Sequence, residues 1–80
     1  MEQQVRQLGK RAPNGLLMLN VLYSKPLVCA ADIETALSVS IPTANALIRD
    51  FERLGILKEI TGQRRGRSFM FDHYLRLLVS

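Results

Sequence analysis

Thr43, Asn45, Arg49 and Arg53 are the residues whose types and spacing carry the most chemistry in this chain. At 100° per residue, with Ala44, Leu47, Ile48, Phe51 and Leu54 turned inward, the outward face of their helix is Pro42, Ala46, Arg49 and Arg53. Thr43 and Asp50 lie on one flank of that face and Asn45 on the other. This is the chemistry of contact rather than of reaction. At the start of a helix laid in a DNA major groove, Thr43 and Asn45 would hydrogen-bond to base edges, and Arg49 would fork onto guanine. Arg53 would meet phosphate, as would Arg64, Arg65 and Arg67 in a basic loop that also holds Gln63. Phosphate contacts give affinity and salt dependence without sequence information.

Two features pull the other way. Pro42 and Ala46 occupy reading positions and offer almost nothing polar, and Asp32, Glu34 and Asp50 lie near where phosphates would run. The alternative reading is a protein-interaction or dimerisation module whose arginines are a solvated rim. Catalysis is the weakest reading. There is no phosphate-cradling glycine loop, no Ser/His/Asp or Cys/His set and no metal-ligand spacing, so no cofactor and no metal are expected. Cys29 is the single cysteine, which excludes an internal disulfide, and it cannot build a metal site with the single His73. Cys29 falls at a helix N-terminus, where a thiol can be activated; a small half-buried residue beside the core is the plainer reading. His73 is read as exposed or packed.

The elements that must position these residues follow from the pattern. Ile33, Ala36 and Leu37 recur at i, i+3 and i+4, a stripe on a helix of barely two turns. Ser38-Val39-Ser40 breaks the period, Ser40 suits an N-cap, and Pro42 falls in the next helix's first turn, where a missing N–H costs nothing. Ile41, Ala44, Leu47, Ile48, Phe51 and Leu54 form the second stripe, and Gly55 is placed to end it. That is a helix-turn-helix. Ile56 to Thr61 then reads as a strand, Gly62 to Gly66 as a loop, and Arg67 to Phe71 as a half-buried strand with Phe69 and Phe71 alternating. A helix-turn-helix followed by a hairpin with a basic tip predicts a winged helix.

With 80 residues, 48% of them apolar, this is one small domain of α+β, mostly-α class: a three-helix core, a β-hairpin wing and a C-terminal helix. The net charge of +4 is compatible with a polyanion but does not demand one. Between Arg49 and Arg67 six bases (Arg49, Arg53, Lys58, Arg64, Arg65, Arg67) face three acids (Asp50, Glu52, Glu59). Residues 1–13 are polar and weakly periodic, with only Val5 and Leu8 apolar between Met1 and Lys10, and read as a linker or the end of a preceding segment; the domain proper is 14–80. Asn14 is a plausible cap for a helix over Leu16–Tyr23 that is apolar around most of its circumference. Pro26 stops it, and Leu27-Val28-Cys29 is placed to pair with the hairpin. Asp72 caps a last helix whose apolar face is Tyr74, Leu75, Leu77 and Leu78.

Lys10-Arg11, the apolar run and Cys29 imitate a signal peptide only superficially, because Gly15 and Asn20 interrupt the run and Val28 precedes the cysteine. No run approaches the ~18 apolar residues of a membrane span. No membrane partner and a cytoplasmic location are therefore expected.

Over about Asn14 to Ser80, the segments SVSIPTANALIRDFERLGIL and EITGQRRGRSFMFDHYLRLL resemble the C-terminal winged-helix domain of bacterial Fic-family proteins. The second segment is the more distinctive, with its Thr-Gly turn, Arg65 and Arg67 across the wing, an aromatic strand and Tyr74-Leu75 beyond it. Related segments commonly have Thr where this chain has Cys29. The resemblance implies that Ser80 ends the polypeptide and that Met1 falls in the linker after a Fic catalytic domain. It implies a parent enzyme that transfers AMP from ATP to a target hydroxyl. The catalytic signature His-Pro-Phe-x-x-Gly-Asn-Gly-Arg is absent from these 80 residues, so no catalytic residue carries over. In that family DNA binding, dimerisation and target docking are all open to such a tail. The sequence thus leads to a regulatory domain that binds double-stranded DNA through Thr43, Asn45, Ala46, Arg49 and Arg53 and a wing of Gln63, Arg64, Arg65 and Arg67, as a possible homodimer.

Overall fold

A computed structural model describes residues 2–60 and 67–79. Its elements run α1 (Glu2–Arg6), a turn of 3-10 helix (Gly9–Arg11), α2 (Ala12–Ser24), β1 (Leu27–Val28), α3 (Ala30–Leu37), α4 (Ile41–Arg53), β2 (Leu57–Glu59), β3 (Phe69–Phe71) and α5 (Asp72–Val79). The described residues are mostly helical, with one small antiparallel sheet in the order β1-β3-β2. The expected α+β, mostly-α class is what the chain adopts.

The turn between α3 and α4 is built from its local chemistry. Ser38 takes the left-handed conformation at φ 55°, and the Glu34 carbonyl accepts from the N–H groups of Ser38 and Val39. Ser40 is extended and its hydroxyl accepts from the Thr43 N–H at 3.3 Å, with Pro42 in the first turn of α4. At the far end Gly55, at φ 78°, lets the Ile56 N–H reach Phe51 O and the Gly55 N–H reach Glu52 O. This doubly bonded ending is the Schellman motif, which only a residue free to take positive φ closes at low cost.

Between these turns, Ala44, Leu47, Ile48 and Phe51 are buried, each at most 2% exposed. Of the expected stripes Leu37 and Leu54 are half-buried, and two residues are exposed. Ile41 is 39% exposed, because the first residue of α4 lies where the helix has only begun to meet the core. Ala36 is exposed too, so the buried stripe of α3 narrows to Ile33 with half-buried Leu37.

The core is completed by Met18, Leu19 and Leu22 from α2, Val28 from β1, Ile56 and Leu57, and Phe69 and Phe71. Val5, in the stretch that the sequence sets apart as 1–13, is fully buried in it. Gly15 makes this possible, since a Cβ there would stand 2.7 Å from Val5 Cγ1. The sequence marks Gly15 only as an interruption of an apolar run; in the fold it is where α1 approaches α2. Helix α2 also begins earlier than expected. It starts at Ala12 straight from the 3-10 turn, with Pro13 in its first turn, so Asn14 is inside the helix and caps nothing.

In the sheet, Leu27 and Val28 pair with Met70 and Phe69, and Leu57, Lys58 and Glu59 with Phe71, Met70 and Phe69. The expected pairing of the segment after Pro26 with the hairpin is present. The ladder continues one step past β2, where the Ile60 N–H donates to Ser68 O at 3.0 Å. Phe69 and Phe71 face the core on either side of half-buried Met70. Asp72, expected as a cap, is the first residue of α5 and largely buried, where it pairs with Arg76 at 2.8 Å and Lys58 at 3.6 Å.

Candidate nucleic-acid interface

Helix α4 presents the basic outward face that its sequence predicts, except that Asp50, expected on the flank, is buried. Asn45, Arg49 and Arg53 are exposed, and Thr43 and Ala46 are half-buried. Asn45, Arg49 and Pro42 line one wall of a groove of about 700 Å³. The start of α3 (Cys29 to Ala31) and the approach to β3 (Arg67, Phe69) line the rest, with Ile48 and Glu52. The groove therefore joins the outer face of α4 to the base of the hairpin. It carries two guanidinium groups and one carboxylate.

Arg49 and Arg67 differ in their surroundings. Arg67 pairs with Glu59 across the hairpin at 3.7 Å. Arg49 is exposed and, among the described residues, no carboxylate is paired with it. An exposed guanidinium with no internal counter-charge keeps all five of its donors for a ligand. Thr43 is less free, since the Ser40 hydroxyl donates to its Oγ1 at 3.0 Å; the Thr43 hydroxyl proton remains to be given outward.

Arg53 is not a bare cation. Its Nη2 donates to Asp50 Oδ1 at 2.9 Å. Asp50 itself is 3% exposed, and Arg11 grips the same carboxylate with a fork, Nε on Oδ2 at 2.5 Å and Nη2 on Oδ1 at 3.2 Å. The carboxylate in turn holds the Arg11 guanidinium more firmly protonated than usual, first through the hydrogen bond and then through its charge. Asp50 thus does not face a ligand as the free negative charge that its flank position implied. It is enclosed by two arginines that leave the cluster at a net charge of +1, counting Arg11 and Arg53 against Asp50. Arg11 escaped the sequence reading because it lies 39 residues from Asp50, outside any helical period.

Asp32 is also committed. Its carboxylate accepts from Lys25 Nζ at 2.9 Å and from both the N–H and the S–H of Cys29 (2.9 and 3.4 Å). The Lys25 hydrogen bond first, and then the Cys29 N–H, hold the Asp32 carboxyl below its ordinary value. Cys29 is the N-cap of α3, as expected, with Asp32 closing the box from the N3 position.

The expected wing residues Gln63, Arg64 and Arg65 lie outside the described residues, and Arg67 is the one wing residue whose place is given. Among the described residues no cluster of His, Cys, Asp or Glu could hold a metal ion, and no helix is long and apolar enough to cross a membrane. Compared with family models, with curated proteins and with solved structures, the chain matches none.

Proposed function

We propose that this chain is a winged-helix module that binds double-stranded DNA, with the start of α4 in the major groove and the hairpin against the backbone. The observation that carries the reading is Arg49, exposed, without a carboxylate partner among the described residues, and set with Asn45 on the wall of a groove that runs to the base of the hairpin. Asn45 and the Thr43 hydroxyl supply hydrogen bonds to bases, Arg49 the fork to guanine, and Arg67 with Arg64 and Arg65 the phosphate contacts. The order β1-β3-β2 around a helix-turn-helix supports the fold name as well. The resemblance to the Fic-family tail extends the proposal to a cytoplasmic regulatory appendage of an AMP-transferring parent, whose catalysis is not in these 80 residues.

Fluorescence anisotropy with a random-sequence duplex, at low and then physiological salt, tests the reading. Micromolar binding that collapses as salt rises is the expected result, because the contacts to backbone release counterions. The double variant Arg64→Ala, Arg65→Ala then weakens binding to every sequence and flattens the salt slope by about two. No binding by the unaltered chain at low salt would overturn the DNA reading.

A second reading is favoured by a separate observation. Leu77 is 65% exposed and Tyr74 40% exposed on α5, with Tyr23 and Leu17 exposed on α2. Apolar side chains so placed suit a homodimer or another protein surface. Sedimentation mass that rises with concentration is its signature.

A further inference from the structure

We propose that Arg11 is a positioning residue of the DNA-binding surface: by gripping the buried Asp50 carboxylate with its own fork, it leaves the neighbouring Arg53 able to turn from Asp50 to a phosphate. The proposal rests on the DNA-binding reading and deepens it by adding a residue that touches no DNA.

The geometry distinguishes the two arginines. Arg11 makes two hydrogen bonds to Asp50, one to each oxygen, and its partner is 39 residues away on another helix. Arg53 makes one, at i,i+3, and its side chain is 68% exposed on the outward face of α4. A planar fork on a carboxylate is the stronger and more specific arrangement. When Arg53 swings away, the Asp50 charge is still covered by Arg11, so the buried carboxylate loses one hydrogen bond and keeps its counter-ion. Without Arg11, Arg53 is the sole remaining cation on a carboxylate that is almost entirely buried. Leaving it would then strand a buried charge, which is costly. Arg11 therefore sets how readily Arg53 leaves, and with it whether the face carries one more phosphate contact.

The test is a double-mutant cycle read by anisotropy with the random-sequence duplex, on the full chain, with the salt slope measured for each variant. Arg11→Ala is expected to lower affinity about three- to tenfold and to reduce the salt slope by about one, as Arg53→Ala does. In the Arg53→Ala background, Arg11→Ala is expected to change neither quantity, because the residue through which it acts is gone. Arg11→Lys restores part of the affinity, and Lys10→Ala, which removes an equal charge one position away, changes it little. Circular dichroism at the assay temperature establishes that each variant is folded. Should Arg11→Ala destabilise the fold, Arg11→Ala with Asp50→Asn removes the uncovered charge and is expected to bind at least as tightly as the unaltered chain.

Equal losses from Arg11→Ala with and without Arg53 would overturn the proposal while leaving the DNA reading intact. So would unaltered affinity and slope in Arg11→Ala. Absence of DNA binding by the unaltered chain would remove both together.

Discussion

Asp32 shows how much of a small helix can depend on one carboxylate. It closes the N-terminus of α3 by accepting from the Cys29 N–H, and it ties that end to Lys25 beyond the end of α2. A carboxylate at that position also meets the positive end of the helix, so the cap and its charge act together. The folded state holds the Asp32 carboxyl below its ordinary value of 3.8. Its contribution is therefore complete above about pH 4 and is lost as pH falls through the lowered value, when the proton returns. Asp32→Ala is expected to cost about 0.5–1 kcal/mol near neutrality. Thermal unfolding of the two proteins side by side should show that gap closing as pH falls below the ordinary carboxylate range. A gap that stays constant with pH would mean that the lost stability comes from packing and not from the charge. The same residue shows what a sequence conveys. An acid three residues after an N-cap is a local feature that a sequence displays, because capping spans a single turn. The bond of Asp32 to Lys25 crosses a strand and a turn and has no period to betray it.

The elements are assembled by close approaches that local patterns describe unevenly. Ser40, Pro42 and Gly55 were legible as the start and stop of α4, since caps and turns are fixed within a few residues. The alternation of Phe69 and Phe71 was legible for the same reason. Val5 was not, because a single apolar residue in a polar stretch has no periodicity, and its burial depends on a partner surface ten residues on. That partner is Gly15, which admits Val5 Cγ1 to within 2.7 Å of where a Cβ would stand, with Leu8 Cδ1 at 3.2 Å. Alanine in the middle of an exposed helix is usually favoured over glycine by about 0.5–1 kcal/mol. Here the methyl would force α1 away from α2, since β-branched Val5 has little rotamer freedom to give. Gly15→Ala is expected to destabilise by about 1–2 kcal/mol despite its helix propensity. In a domain of this size that lowers Tm by roughly 4–8 °C for each kcal/mol. Adding Val5→Ala should recover part of the loss caused by Gly15→Ala, since it removes the group that collides. A Gly15→Ala variant more stable than the unaltered chain would show that α1 does not pack where Val5 puts it.

At the scale of the whole molecule, two surfaces compete to explain why the domain exists, and they share no residue. One is the face of Asn45, Arg49 and Arg53 with the groove toward Arg67. The other is the apolar set of Tyr74 and Leu77 on α5. The first was legible in the sequence as a basic helical face, although the covering of Asp50 by Arg11 was not. The second is legible as the apolar face of the last helix, and Leu77 on it is 65% exposed. Helix α5 follows β3 without a break, so the strand fixes where it starts and its apolar side is left partly in water. Substitutions that act on one surface alone separate the readings. Arg49→Ala is expected to weaken DNA binding about tenfold or more if it forks onto guanine, and to relax the preference at that base. It leaves the sedimentation mass unchanged. Leu77→Glu places a charge where a second copy would bury it and should hold the chain as a monomer at concentrations where the unaltered protein associates. If the two surfaces work together, as in a dimer that presents two copies of α4 to one duplex, Leu77→Glu also lowers DNA affinity, and more steeply at low protein concentration. If they work separately, the affinity of the Leu77→Glu variant equals that of the unaltered monomer. Loss of DNA binding in Arg49→Ala with mass intact, beside loss of association in Leu77→Glu with monomer affinity intact, would assign each surface its own partner.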